Sequence, residues 1–311
     1  MNDLLLVANK ADQTLSIVDP DTARELAAVP VGGTTAHEVA ASPDGHFAWV
    51  PIYGDSGVGM PGSDGRTVNL IDLDLQRIVS SVDLGQPTRP HCAVFGPKDG
   101  RLYVTAELTN SIEVIDPIER KVVDSIPTGE PESHMMVISS DGERAYTSNV
   151  GTGTVSVIDI ARKKVLAVVP ISETAQRIAI SIDDRFVFTS DQTKPSLVVI
   201  DARTNTIETR VQLSHTGYGM APTRDGRYLL VAHATSEYVS VVDLQSWEVE
   251  KVIKVPPNPQ EIIVGPDNTI AYASCDVSKQ VAAIDLSTWK VGKLIDAGGE
   301  ADGLSWASRN H

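Results

Sequence analysis

Three histidines in this chain share one local context. His37, His91 and His134 each open a short apolar run that ends at an aspartate-glycine pair: Asp44-Gly45, Asp99-Gly100 and Asp141-Gly142. Counting back from each pair, with one extra residue allowed in the second case, gives the same position. Three imidazoles at one repeated position are suited to sharing a cation. Imidazole binds zinc, manganese, iron, nickel or copper, and three ligands leave coordination open for water or substrate. A divalent transition metal of unspecified identity, held by His37, His91 and His134, is therefore the chemistry these residues first predict. The plainer alternative is three histidines that hydrogen-bond water in a polar channel.

The elements that would position them follow from a longer repeat. LSIVD ending at Asp19 recurs as VNLID at Asp72, IEVID at Asp116 and VSVID at Asp159. It continues as LVVID at Asp201, VSVVD at Asp243 and VAAID at Asp285. Successive copies lie 53, 44, 43, 42, 42 and 42 residues apart. A strand-rich period near 42 is the signature of a propeller whose repeats are four-stranded blades. The stretch 133–171 reads as one blade: HMMVIS innermost, then RAYTSN, TVSVID and KVLAVVPI outermost. Asp-Gly suits the first hairpin because tight turns need positive φ. The seven repeat aspartates are expected to cap the next turn and to take no part in catalysis.

The fold expected is all-β: a seven-bladed β-propeller in one domain spanning 1–311. ADGLSWAS at 301–308 reads as an innermost strand without its blade, and LLLVAN with LSIVD as a blade without its innermost strand. The two ends should complete one blade and close the ring. In the wording LYVTAE (102–107), AYTSNV (145–150) and VSVID (155–159), the repeats resemble the YVTN family of seven-bladed propellers. That resemblance covers the whole chain. It implies the fold, and a family whose members include lactonase-like enzymes, surface proteins and binding scaffolds.

Given that fold, the counted position is the start of each innermost strand, at one mouth of the central channel. Besides the histidines it holds Gln176, Tyr218 and Gln260, and Asp302 in the closing strand. Second strands return antiparallel and bring Glu107, Asp191 and His233 to the same mouth, with Asn9, Asn149 and Cys275. Entering loops add Arg89, Glu132 and His215, while Glu38 and Arg177 directly follow counted positions. Glu38 or Glu132 is expected as general base or as an imidazole-orienting partner, and Arg89 or Arg177 as a clamp for a substrate carboxylate. An insertion at 53–67, YGDSGVGMPGSDGRT, accounts for the long first gap and is expected to emerge at this mouth as a flap. Its Gly57-x-Gly59-x-x-Gly62 lacks the strand–helix context of a dinucleotide site.

Composition narrows the partners. A net charge of −15 repels nucleic acid and anionic membranes, leaving a small-molecule substrate and a monomer as the expectation. No long apolar segment or export signal is legible, so a cytoplasmic location is expected, or a periplasmic or secreted one if a leader has been trimmed. Cys92 and Cys275 fall in distant repeats and should stay unpaired. The reading is a metal-dependent hydrolase of lactone type, or a lyase, acting on a small oxygen-rich molecule. Its alternative is a non-catalytic scaffold for a protein or small ligand.

Overall fold

The computed structural model describes residues 3–309, which form seven four-stranded antiparallel sheets. Blade 1 is completed by both ends of the chain: Ala301–Ala307 pairs with Leu4–Asn9, followed by Thr14–Asp19 and Arg24–Pro30. Blades 2 to 7 then follow in sequence order. Apart from one 3-10 turn at Glu107–Thr109, every element is a strand. Among the described residues no helix is long and apolar enough to cross a membrane.

Burial follows strand position. Second and third strands are hidden almost throughout, whereas every outermost strand is exposed but for one buried side chain near its end. The apolar clusters lie between neighbouring blades, built from Val, Ile, Leu and Ala. The repeat aspartates do cap turns. Asp19, Asp72, Asp116, Asp201, Asp243 and Asp285 accept the backbone N–H groups two and three residues on, and Asp159 that of Arg162. Both cysteines are free and buried.

Two features aim side chains at the axis. A left-handed residue stands two places before the counted position in five blades: Thr35, Arg89, Glu132, Asn258 and Glu300. In blades 3, 4, 5 and 7 a register shift then falls at the counted residue itself, between Pro90 and Ala93 for example, and blade 1 has one beside Asp302. A bulge turns two consecutive residues to one side of the strand. The channel is therefore lined in two tiers, the counted residues and those that follow them. In blades 2 and 6 ladder pairing begins later, at Ala40 and Met220, so His37 and Tyr218 precede their formal strands. There the backbone also bonds across the blade boundary: Gly303 N donates to His37 O (2.8 Å) and Gly219 N to Gln260 O (3.0 Å), while Tyr218 N keeps its own blade through Ala232 O (2.7 Å).

Candidate functional site

The three imidazoles come together as the register requires. His91 stacks between the other two, with ring centroids 3.6 Å from His134 and 4.9 Å from His37, tilted by 34° and 31°. Stacking alters what they can do. Ring-nitrogen lone pairs lie in the ring plane, so stacked rings direct them alongside one another, whereas a shared cation needs nitrogens converging to about 2.1 Å. His134 is also fully engaged. Its Nδ1 donates to Glu107 Oε1 (2.5 Å), and its Nε2 accepts from Gln176 Nε2 (3.3 Å). Among the described residues no group of three or more His, Cys, Asp or Glu is placed to hold a metal ion. In this arrangement the residues do not fit a metal.

Glu107 is the hub of the buried side of the mouth. Its second oxygen accepts from Tyr53 Oη (2.7 Å), and the Tyr53 ring stands edge-on to His37 and His91 at 5.0 and 5.4 Å. His91 and His134 are 1% and 2% exposed. Burial, reinforced for His91 by the neighbouring imidazoles, pushes both below the ordinary histidine range, although Glu107 partly offsets this at His134. Both are neutral at physiological pH.

The other side of the mouth is open. The His37 side chain is 24% exposed, and its Nδ1 lies 3.0 Å from Asp302 Oδ2. An ionised carboxylate can only accept, so Nδ1 donates to it, and in the neutral imidazole Nε2 is the nitrogen with the free lone pair. Burial alone would raise the Asp302 carboxyl. The His37 hydrogen bond, Arg177 and Lys10 together hold it below the usual carboxylate range. Lys10 Nζ sits 3.4 Å from Asp302 Oδ2 and is partly exposed.

The lower tier holds a buried charge cluster. From blade 5, Arg177 Nη1 reaches Glu38 Oε1 of blade 2 (2.6 Å) and Glu261 Oε2 of blade 7 (2.7 Å). Its Nη2 reaches Asp302 Oδ1 at 3.1 Å, and its guanidinium lies 4.5 Å from the Tyr218 ring centroid of blade 6. Arg177 thus clamps carboxylates as its residue type implied, but they are the protein's own, and its side chain is buried among them. Burial raises Glu38 to about 8, with Glu261 and Asp302 adding to the shift and Arg177 opposing it. Glu38 is therefore a buried acid, paired with Arg177.

The remaining sequence candidates divide by location. Arg89 is buried and holds the flap through Asp64 Oδ1 (2.6 Å), Gly57 O (3.2 Å) and Met60 O (2.5 Å). Glu132 is half-buried against the same flap: a methyl added to Gly59 would meet its Oε1 at 3.2 Å. Gln260 remains at the axis, its amide bonded to Asn258 O. His233 is fixed in its own blade by Ser240 Oγ (2.7 Å) and Thr216 O, and Asp191 by Thr193. His215 is exposed on the rim, stacked on Tyr238. Sequence reasoning missed Lys10, Tyr53 and Glu261. Lys10 lies one residue past a strand end and Glu261 directly follows a counted position, so the rule that found Glu38 and Arg177 also finds Glu261. Tyr53 stands where the insertion breaks the register.

Comparison with known proteins places this chain in a family. The sequence model described as "Lactonase, 7-bladed beta-propeller" matches residues 8–264. The chain belongs to that family. Among curated proteins the lactonase-family chain is similar to Antigen Lp49 of Leptospira interrogans, at 24% identity over 148 residues. That match takes in 48% of this chain and 31% of the relative's length, so the chain spans about a third of the relative it matches. Among solved structures it superposes on Kuenenia stuttgartiensis hydrazine synthase with a TM-score of 0.77 at 19% identity, covering 91% and 92% of the two chains. A protein of unknown function from Desulfotomaculum acetoxidans gives 0.80 at 15% identity over the whole of both chains. Both likenesses concern the fold alone.

Proposed function

We propose that this protein hydrolyses a small, oxygen-rich cyclic ester at the open side of the mouth, with His37 as general base and Asp302 as the carboxylate that orients it. The observation that carries this reading is the His37–Asp302 pair: Nδ1 is held, and Nε2 makes no hydrogen bond among the described residues in a side chain that solvent reaches. Membership of the lactonase family supports the substrate class. In this reading Nε2 takes a proton from water as the oxygen attacks the ester carbonyl. The same nitrogen returns that proton to the ring oxygen as the carbon–oxygen bond breaks, leaving a hydroxy acid. Lys10 supplies positive charge beside the developing oxyanion, and the Asp302 carboxylate stabilises the imidazolium formed in passing.

The test is turnover of a panel of sugar-acid lactones, followed by acid release. His37→Ala and Asp302→Asn should each lower kcat by about 10²–10⁴-fold with folding intact. Lack of turnover on every lactone leaves the binding-scaffold reading in its place.

A metal-dependent form of the same reaction is distinguished by elemental analysis. It would require His134 to leave Gln176 and the imidazole stack to fan out. What favours it is that the Nδ1 atoms of His37 and His134 both face carboxylates, the usual second partner of a ligating imidazole. Stoichiometric metal in the wild type, lost when His37, His91 and His134 are all changed to alanine, supports that form. Metal-free protein after loading removes it.

A further inference from the structure

His91 and His134 are buried while His37 is partly exposed, and Tyr53, at the root of the insertion in blade 2, stands edge-on to His91. The second strand of that blade, Phe47–Gly54, leaves Tyr53 against the imidazoles and then runs out into the flap. The flap is closed at its neck, where Gly54 pairs with Asp64 and Asp55 N donates to Ser63 O (3.0 Å). Internal bonds satisfy much of its remaining polarity: Met60 N to Gly57 O, Ser56 Oγ to Asp64 Oδ1, and Ser63 N to Asp55 Oδ1. A loop that bonds mainly to itself can swing on its neck without unfolding.

One side chain ties it down. Among the described residues the hydrogen bonds from another blade to the flap tip, at Gly57 and Met60, both come from the Arg89 guanidinium, which also grips Asp64 at the neck. Arg89 belongs to the loop entering blade 3, two residues before His91, and its side chain is almost wholly covered. The base of the flap is pinned separately, by Thr88 N and Arg89 N to Gly65 O. A fixed base, a self-contained tip and a single cationic fastener are the parts of a latched lid.

We propose that residues 54–65 form a lid over His91 and His134 with Arg89 as its latch, so that a ligand reaches these two imidazoles only when the guanidinium lets go. This holds whichever reaction the mouth performs. Arg89 is then a positioning residue, and its predicted role as a substrate clamp is replaced by one toward the protein's own loop.

The test is histidine modification by diethyl pyrocarbonate, resolved by residue with mass spectrometry. His37 serves as the internal standard for an open site. In the wild type His91 and His134 should react far more slowly than His37. Arg89→Lys keeps the charge but loses the three-way fork, and Asp64→Asn weakens the same contact from the flap side. Both should speed labelling of His91 and His134 by about tenfold or more relative to His37, and amide exchange should rise across 55–63 alone. Unchanged labelling in both variants overturns the latch. So does faster labelling that tracks global unfolding across a urea series. Catalytic turnover plays no part, so failure here is separable from failure of the hydrolase reading.

Discussion

At the scale of single residues the decisive group is Arg177. It sits where five other blades deliver side chains: Glu38, Met135, Glu261, Asp302 and Tyr218. Arg177 also holds the Asp302 carboxylate, which stays ionised, so replacing the arginine would strand that buried charge. Arg177→Met should therefore destabilise the fold by about 3–5 kcal/mol, the usual consequence of breaking a buried ion pair from one side. Equilibrium urea unfolding measures it, and a change under about 1 kcal/mol would mean the cluster is solvated. The same residue marks the limit of sequence reasoning. Counting from the turns gives His37, Gln176 and Asp302 one equivalent position, with Arg177 next to it, because register is one-dimensional information. It could not reveal that the imidazoles stack, since the ring planes of His37 and His134 are set by partners on other blades, namely Asp302, Glu107 and Gln176.

At the scale of elements, what the sequence concealed was the bulge. No residue type announces one, yet it puts a second tier on the axis and carries Arg177 into the buried cluster. Closure, by contrast, was legible: an orphan inner strand at one end and a blade lacking one at the other have a single solution. The seam it creates is tight. A Cβ on Gly303 would fall 2.4 Å from His37 O and 2.7 Å from Glu38 Cα, and neither backbone can yield cheaply. Gly303→Ala should push blade 1 from blade 2, destabilising by about 1–3 kcal/mol, and should shift His37 relative to Asp302. Gly292, on an exposed outermost strand, is the control. A Cβ there meets only Ala283 O, at 3.9 Å, so Gly292→Ala should be neutral or slightly stabilising. Equal thermal midpoints for the two variants would contradict the close approach of the blades.

At the scale of the whole molecule, opposing titrations meet in one channel and shape stability against pH. Glu38 titrates near 8 in the fold, against 4.5 for an ordinary glutamate. Between those values the folded protein holds a proton the unfolded chain lacks. Stability from this group is thus full below about 4.5 and falls as pH rises through 8, by up to about 1.4 kcal/mol per unit. His91 and His134 act in the other direction. Their folded pKa values lie below 6.5, so the unfolded chain binds more protons once pH drops beneath that value, and stability falls on acidification. From 4.5 to 6.5 the slopes offset each other, and above 6.5 only the glutamate term remains. Glu38→Gln, which mimics the protonated acid, should be nearly neutral near pH 4.5 and increasingly stabilising from there to pH 8, by up to about 1.4 kcal/mol per unit. It should remove the Glu38 share of the decline between pH 4.5 and 8, leaving that of Glu261, and it should steepen the loss below 6.5 because less opposes the histidines. Denaturant unfolding of wild type and variant from pH 4.5 to 9 reads all three effects, and superimposable profiles would mean that Glu38 is ionised in the native channel.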